Sequence, residues 1–289
     1  MKRFSELNPV AVAAYYIAVI TLTMFSMNPV IIAISLLSSV LNYCLYAKGS
    51  LRVHLFSLIL FLILAVVNPL VVHNGATVLF YLNSRPITVE ATLYGVIAAA
   101  MVTATLYRLR SLSHDMTSDK LLYLFGRFSP KLALLLSMAL RYVALFKHRW
   151  RRIQDSQRAL GLYRDGNLID AVRGRLRVLS ILITWSLENG IVTAQSMDAR
   201  GYGSRRRSSY AIYRLRRYDM LIILLTLSAT GVSIVGMINA DFSCYPSVRS
   251  DLFSPLSIAG YITYAILCIL PVILNTKEVI RWRTLLSKI

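Results

Sequence analysis

Acidic side chains, and charged side chains in general, are scarce in this chain of 289 residues. Asp and Glu together number 13 against 32 Lys and Arg, and all charged residues make up only 16% of the sequence. A soluble globular domain has about 25% charged and about 45–50% apolar residues. Here the hydrophobic fraction is 56% and the mean hydropathy is +0.59. The composition therefore excludes an ordinary soluble domain and predicts an integral membrane protein.

Cysteine is also rare, and the few cysteines are scattered. Cys44 and Cys268 lie in apolar runs, whereas Cys244 lies in a predicted loop. Because there is no CxxC pair and no Cys/His cluster, neither a disulfide framework nor a zinc site is indicated, and we expect small buried hydrophobes. The four histidines have no partner at metal-ligand spacing. His73, at the outer end of a predicted span, is interpreted as a polar end-cap rather than a substrate contact.

Motifs for nucleotide or covalent chemistry are absent from the sequence. There is no GxxxxGK[ST] phosphate loop, so the backbone cradle and lysine that ATP chemistry requires are missing. No hydrolase or metalloprotease signature occurs either. Glu90 is the one carboxylate predicted inside a span, and we favour a structural role for it at the positive end of a helix dipole. We therefore expect a non-enzymatic chain without a cofactor or a metal.

Six apolar stretches have a length suited to membrane-spanning helices, which need about 20 residues. The first two form one run divided at Asn28-Pro29, because proline disfavours a helical predecessor and suits a helix start. Lys48-Gly49-Ser50 makes the next break. The predicted spans are Val10–Ser26, Pro29–Ala47, Leu51–His73, Pro86–Tyr107, Met220–Ala240 and Leu256–Asn275.

The distribution of basic residues predicts the orientation of these spans. With both termini inside the cell, 30 of the 32 Lys and Arg residues lie on the cytoplasmic side, and only Arg85 and Arg249 lie outside. Cytoplasmic loops of membrane proteins retain positive charge in this way. We expect a plasma-membrane protein with four transmembrane helices in residues 1–107, a cytoplasmic region in residues 108–217 and two further transmembrane helices in residues 218–289.

Two apolar segments within the basic region, Leu132–Phe146 and Val178–Ala194, are interpreted as parts of long cytoplasmic helices. As spans they would leave a strongly basic connecting segment outside the cell, and the first contains Arg141. The predicted helices cover residues 129–160 and about 168–199. A glycine follows each one, which is the usual signal of a helix end.

A series of short motifs follows one another between about residues 60 and 217. They are Asn68-Pro69-Leu70, His73-Asn74-Gly75, Thr77-Val78-Leu79-Phe80, Pro86-Ile87-Thr88-Val89-Glu90, Tyr94-Gly95, Ser118-Asp119-Lys120-Leu121-Leu122, Arg141, Gln157-Arg158-Ala159-Leu160-Gly161 and Ser196-Met197-Asp198-Ala199-Arg200-Gly201-Tyr202-Gly203. In this order the motifs resemble the transmembrane T component of energy-coupling factor (ECF) transporters, a family that includes cobalt-transport permease subunits.

The resemblance implies an all-α, polytopic membrane protein with two long cytoplasmic coupling helices. It also implies a non-catalytic scaffold that joins a small substrate-binding membrane subunit to two ABC-type ATPases. ATP would be bound by those partners, and the substrate-binding subunit would choose the imported vitamin or metal ion.

In that family an Ala-Arg-Gly motif at the end of each long helix docks into a groove on one ATPase. The second motif is intact here as Ala199, Arg200 and Gly201, but the first reads Ala159-Leu160-Gly161, with leucine where the family usually has arginine. Arg158 could replace that arginine only from a different angle around the helix. The unequal pair suits two different ATPases.

Three other functions remain as alternatives. An ordinary ABC permease subunit would line its own translocation path and would need no substrate-binding subunit. A membrane-bound enzyme or channel acting alone is disfavoured by the lack of paired intramembrane polar groups. Nucleic-acid binding is the least favoured, since the basic residues are expected to face anionic lipid of the bilayer and the aromatic residues form no stacking platform.

Overall fold

The computed structural model describes residues 4–46, 51–72, 75–82, 85–162, 168–204, 213, 215–240, 242–243, 249–250 and 254–286. The chain divides into two compact units. Unit 1 comprises Met1–Leu121 and Tyr213–Ile289, and unit 2 comprises Leu122–Ile212. Both are helical, which confirms the predicted all-α class.

In the described part of the chain, nine α-helices follow a single 3-10 turn at Phe4–Glu6. They are α1 (Pro9–Phe25), α2 (Pro29–Tyr46), α3 (Leu51–Val71), α4 (Val89–Asp115), α5 (Ser118–Phe128), α6 (Pro130–Ala159), α7 (Leu168–Ala199), α8 (Arg217–Ile238) and α9 (Pro255–Leu286).

All six stretches predicted as spans form apolar helices, namely α1 to α4, α8 and α9. By length and composition, α3, α4, α8 and α9 can cross a membrane, whereas α1 and α2 are shorter apolar helices of 17 and 18 residues. The predicted division between α1 and α2 is confirmed, and Asn28 Oδ1 accepts the Val30 N–H at 3.0 Å. The break predicted at residues 48–50 lies outside the described residues, as does His73.

The two long helices of unit 2 match their predicted ranges closely. Helix α6 begins at Pro130, and the side chain of Ser129 accepts the N–H of Leu132 at its start. Helix α7 runs from Leu168 to Ala199. A serine cap and a proline in the first turn are local signals, which explains why the sequence locates this helix start so well.

Helix α4 differs from its predicted range at both ends. It begins at Val89, three residues after Pro86, and it continues to Asp115, eight residues beyond Tyr107. The predicted boundary between residues 107 and 108 therefore falls inside a continuous helix.

Residues Arg85–Thr88 form a strand, β2, that pairs antiparallel with β1 (Val78–Leu82). Proline can start a helix, but here Pro86 lies opposite Tyr81 in the hairpin. The helix starts only after Thr88, whose Oγ1 accepts the N–H of Ala91 at 3.3 Å. A second short pair, β3 (Phe242–Ser243) with β4 (Arg249–Ser250), precedes α9.

The core of unit 1 lies between α1, α2, α8 and α9. Its fully buried side chains include Tyr15, Val19, Tyr264 and Leu267. Cys268 belongs to this core, as expected, but the same expectation is wrong for Cys44, which is exposed on α2. The reason is general: a helix in a membrane protein can turn apolar residues toward lipid, so an apolar run does not imply burial inside the protein.

Two glycines allow close helix packing in unit 1. A Cβ atom at Gly95 in α4 would lie 3.0 Å from the carbonyl oxygen of Ala65 in α3. A Cβ atom at Gly236 in α8 would lie only 2.6 Å from the Cα atom of Gly260 in α9. Small residues permit such backbone contact between membrane helices.

Candidate docking site at the ends of the two long helices

Helix α6 ends at Ala159, and Gly161 terminates it two residues later. Gly161 has φ +68°, and its N–H donates to the carbonyl oxygen of Arg158 at 2.9 Å. The N–H of Leu162 donates to the carbonyl oxygen of Gln157 at 3.0 Å. This pair of hydrogen bonds is the Schellman motif, which satisfies carbonyl groups that the helix leaves without partners. The side chain of Leu160 is 69% exposed, so it projects from the turn.

The end of α7 has the same construction. Gly201 has φ +69°, and its N–H donates to the carbonyl oxygen of Asp198 at 2.9 Å. The N–H of Tyr202 donates to the carbonyl oxygen of Met197 at 3.0 Å. The hydroxyl of Ser204 donates to the Gly201 carbonyl oxygen at 2.7 Å and closes the following turn. Arg200 is exposed, one residue before the left-handed glycine.

The small side chains of Ala159 and Ala199 precede the turns and are also exposed. Both predicted motifs thus lie at equivalent exposed helix ends, with Leu160 and Arg200 at the corresponding position. At one end the projecting group is apolar, and at the other it is a guanidinium with five donors.

Arg158 is on a different side of α6. The helix stays regular through Ala159, and two positions along an α-helix correspond to about 200° of rotation. Arg158 is exposed but cannot project from the turn in the way that Leu160 does. The structure therefore does not bring Arg158 into the position that Arg200 occupies at the other end.

Contacts between α6 and α7 show how the two ends are arranged. The hydroxyls of Tyr142 and Thr193 lie 3.1 Å apart, and the rings of Phe146 and Trp185 meet edge to face at a centroid distance of 6.1 Å. Tyr142 on α6 contacts Thr193 on α7, whereas Phe146, further along α6, contacts Trp185, which is earlier on α7. The two helices therefore run in opposite directions where they cross. At 1.5 Å per residue, the two C-terminal ends are on the order of 30 Å apart. One compact partner groove cannot take both ends at once.

Arg108 in unit 1 is buried, which the sequence analysis did not predict. From the sequence, Arg108 is the first residue of the basic cytoplasmic region. In the structure Arg108 is fully buried within α4. Its guanidinium donates to the hydroxyl of Tyr15 in α1 at 3.3 Å and to the hydroxyl of Ser38 in α2. Arg108 thereby connects three helices. The spacing of Arg108, Ser111 and Asp115, at i, i+3 and i+7 on one helix face, is the signal that could have indicated it.

A second polar group closes the end of α4. Asp115 accepts the hydroxyl of Tyr16 at 2.7 Å, and the Lys120 ammonium donates to the carbonyl oxygen of Asp115 at 2.5 Å. Burial lowers the pKa of Lys120 below its ordinary value, opposed by the charges of Asp115 and Glu6. A lysine at a helix C-terminus satisfies a free carbonyl group and complements the dipole. The Ser118–Leu122 motif therefore contains a helix cap.

Glu90 holds the loop that leads into the hairpin. Its carboxylate accepts the N–H of Thr77 at 3.2 Å and the Thr77 hydroxyl at 2.9 Å. At Gly75, where φ is +147°, a Cβ atom would lie 2.6 Å from Glu90 Oε2. These contacts, together with its place in the first turn of α4, support the structural role favoured from the sequence.

Histidine and cysteine do meet at one place. His54 Nε2 lies 3.6 Å from Cys44 Sγ, and His54 Nδ1 lies 2.9 Å from the hydroxyl of Tyr107. Among the described residues, however, no group of three or more His, Cys, Asp or Glu side chains could hold a metal ion.

The apolar helices of unit 1 and the paired helix ends of unit 2 define a polytopic helical membrane protein that presents two exposed C-terminal turns. Comparison with known families is more specific. The cobalt transport protein family, CbiQ, matches residues 3–210, and the chain belongs to this family.

Individual relatives match over shorter segments. Three of them are described as energy-coupling factor transporter transmembrane protein EcfT. The protein of Lactobacillus helveticus is 30% identical over 107 residues, which is 36% of this chain and 39% of the relative. The protein of Streptococcus thermophilus is 32% identical over 111 residues, which is 38% of this chain and 42% of the relative. The protein of Lacticaseibacillus paracasei is 33% identical over 104 residues, which is 35% of this chain and 39% of the relative. The matches thus cover about two fifths of each relative.

Proposed function

We propose that this chain is the transmembrane coupling scaffold of an ECF-type ABC importer. It joins two ABC-type ATPase subunits to a small substrate-binding membrane subunit, and ATP hydrolysis in the ATPases drives uptake of a vitamin or a metal ion. The observation that carries the proposal is the pair of equivalent helix ends at Leu160 and Arg200 in a chain of the CbiQ family.

The geometry suits a coupling element. Helices of 30 and 32 residues are about 45 Å long and act as stiff levers. A left-handed glycine directly after the projecting residue ends each helix sharply and leaves no side chain there to hold a partner surface away. Movement of an ATPase groove would therefore be transmitted along the helix rather than absorbed by its end.

The chain itself contributes no chemistry to this proposal. ATP binds to the partners, because the sequence contains no phosphate loop, and no cofactor or metal is assigned to the chain. Its role is to bind, to position and to transmit force.

The proposed location is the plasma membrane, with both termini and unit 2 in the cytoplasm. Within unit 1, the backbone N–H of Asn8 before α1 donates to Asp219 at the start of α8 at 3.3 Å, and Tyr16 bonds Asp115 at the end of α4. The start of α1, the end of α4 and the start of α8 therefore share one face of unit 1. This supports a topology in which the segment between α4 and α8 leaves and returns on the side of the N-terminus.

The test is purification of the chain with its candidate partners. Co-expressed ABC-type ATPases and a small substrate-binding membrane protein should co-purify with the chain, and the complex should hydrolyse ATP whereas the isolated chain should neither bind nor hydrolyse it. Transport that requires the ATPases but no substrate-binding subunit would indicate an ordinary permease instead. Nucleotide binding by the isolated chain would contradict the proposal directly.

A further inference from the structure

A pocket between α2, α3 and α4 of unit 1 is not used by the proposed coupling function. Its volume is about 450 Å³, and most of its lining is apolar. The polar side chains in this lining are those of His54, Ser57, Thr103 and Tyr107. An apolar pocket with a few polar groups is the usual form of a small-molecule site. The exposed thiol of Cys44 lies next to it, one turn of α2 beyond the lining residue Val40.

Cys44 and His54 form a pair that further side chains hold in place. The Sγ atom of Cys44 is 3.6 Å from Nε2 of His54, and the hydroxyl of Tyr107 is 2.9 Å from Nδ1 of the same ring. The His54 ring also meets the ring of Tyr43 edge to face, at a centroid distance of 5.6 Å. When Nδ1–H donates to the Tyr107 oxygen, Nε2 accepts the thiol proton. A thiol next to a base that a third group orients is the arrangement of an activated nucleophile.

Ser57 offers a hydroxyl to a ligand in the pocket. Only 2% of Ser57 is exposed, it lines the pocket, and among the described residues its hydroxyl donates no hydrogen bond. The Thr103 hydroxyl, by contrast, already donates to the carbonyl oxygen of Ala99 at 2.7 Å. Ser57 follows His54 by three residues, so the two side chains are neighbours on one face of α3. A ligand with a carbonyl oxygen would therefore find a donor close to the thiol and its base.

The approach to this site is apolar. Leu51, Leu55 and Leu58 line the pocket and are 75%, 50% and 55% exposed. They belong to α3, which is apolar enough to cross a membrane. A charged reagent would lose its hydration on this path, whereas an apolar molecule would not. The compound that fits combines an apolar body, an electrophilic carbon for the thiol and a carbonyl oxygen for Ser57.

We propose that Cys44 is a modification site for apolar α,β-unsaturated carbonyl compounds. The pocket binds the compound, and the Cys44 sulfur forms a bond to its β-carbon while the thiol proton passes to Nε2 of His54. The electrons of the carbon–carbon double bond move to the carbonyl oxygen, where the Ser57 hydroxyl stabilises the enolate. His54 then returns the proton to the α-carbon, and the carbonyl group is restored. The product is a thioether, and no oxidant, reductant or further reactant is needed.

The test compares two aldehydes with the same reacting group. The full-length chain in neutral detergent would be treated with nonenal, which has a long apolar tail, or with crotonaldehyde, which has a methyl group instead. Peptide mass spectrometry after borohydride reduction gives the rate of addition at each cysteine. The reference thiol is Leu45→Cys in the Cys44→Ser chain. Position 45 is 52% exposed and adjacent to position 44, but it is about 200° around α2 from Tyr43, whose ring packs on His54.

The first comparison tests the pocket. The preference for nonenal over crotonaldehyde should be about tenfold greater at Cys44 than at the reference thiol, because methylene groups bound in an apolar pocket contribute about that much. Val40→Phe, which places a larger side chain in the pocket, should slow addition of nonenal more than addition of crotonaldehyde. An equal preference at Cys44 and at the reference thiol would overturn the pocket, since the detergent alone would then explain the selectivity.

The second comparison tests the pair. His54→Gln should slow addition of both aldehydes at Cys44 by about tenfold or more, because a general base commonly contributes about 10²–10⁴-fold. Tyr107→Phe keeps the aromatic packing and removes only the hydroxyl at His54, so it should slow both reactions in the same direction even where His54→Gln disturbs the fold. Unchanged rates in Tyr107→Phe and His54→Gln would overturn the proposal. Equal slowing at the reference thiol would overturn it as well, because the effect would then not depend on contact between Cys44 and His54.

Discussion

Leu160 and Arg200 occupy the same position in two equivalent helix ends, each directly before a glycine whose φ is close to +70°. The backbone therefore presents an apolar side chain at one end and a charged side chain at the other, in the same geometry. Two identical grooves cannot complement both side chains equally well. The proposed docking therefore predicts two different partner subunits, or one partner that binds the two ends with unequal strength.

The first prediction concerns this inequality. Losing a desolvated charged contact commonly weakens binding by about 2–5 kcal/mol, whereas fully burying a leucine contributes about 1.5–3 kcal/mol. Arg200→Ala should therefore weaken assembly with the ATPases and reduce coupled transport more than Leu160→Ala does. The measurement is the yield of the ATPase complex and the transport rate for both variants in the same background.

Arg158 is the control for this ranking. Because α6 stays helical through Ala159, Arg158→Ala should have less effect than Arg200→Ala. If Arg158→Ala matches Arg200→Ala while Leu160→Ala has no effect, then the end of α6 unwinds in the complex and Arg158 makes the contact. Equal damage from Leu160→Ala and Arg200→Ala would show that the ranking is wrong.

The second prediction concerns the two glycines that end these helices. An alanine at Gly161 or Gly201 must adopt a left-handed conformation, which costs about 1–2 kcal/mol. At Gly201 the added Cβ would also lie 3.0 Å from Ser204 Oγ. Both Gly→Ala variants should lower the unfolding temperature modestly and should weaken assembly with the ATPases by more than their stability loss explains.

Gly190 is a suitable control for both variants. It lies inside α7, and an added Cβ there meets no atom within 4 Å. Gly190→Ala should stabilise the helix by about 0.5–1 kcal/mol, because alanine loses less backbone entropy than glycine. Assembly should be unchanged. A normal complex in Gly201→Ala would place the docking contact elsewhere.

The third prediction concerns the contact between α8 and α9. A Cβ at Gly236 would lie 2.6 Å from Gly260 Cα and 3.1 Å from the Leu256 carbonyl oxygen, so two backbones would have to separate. Gly236→Ala should destabilise unit 1 by about 1–3 kcal/mol, the usual range for an overpacked core. Thermal unfolding in detergent should show it. Gly231→Ala, in the same helix but with open space around it, should be neutral or stabilising.

The fourth prediction concerns Arg108. Arg108→Met keeps much of the side-chain length but removes the donors to Tyr15 and Ser38, and it should destabilise unit 1 by about 1–3 kcal/mol. Arg110→Met removes the same charge from a half-buried position on the same helix and should change stability by less than about 0.5 kcal/mol. An equal effect of the two variants would mean that net charge matters, rather than the contacts of Arg108.

Features set by residues close in sequence could be predicted, whereas features that depend on contacts between distant helices could not. The ends of α6 and α7 are set by Ser129, Pro130 and two glycines, all adjacent in sequence to the turns they form, so they could be predicted closely. The burial of Arg108 depends on α1 and α2, about 70 to 93 residues away in the chain. The spacing of Arg108 with Ser111 and Asp115 indicates a polar helix face, but it does not show which helices cover that face. At Pro86 two local signals compete, and pairing with Tyr81 in the hairpin overrides the helix start.

The last prediction concerns orientation in the membrane. The side that carries 30 of the 32 basic residues should be cytoplasmic, because positive residues are retained there. Single cysteines would replace Asn74 and Ser208, one at a time, in a chain from which Cys44, Cys244 and Cys268 have been removed. An impermeant thiol reagent added to intact cells should label the cysteine at position 74 but not the one at position 208, and both should react after permeabilisation. Labelling at position 208 from outside would invert the topology. The helix ends at Leu160 and Arg200 would then face away from any cytoplasmic ATPase, and the coupling function would fail with the orientation.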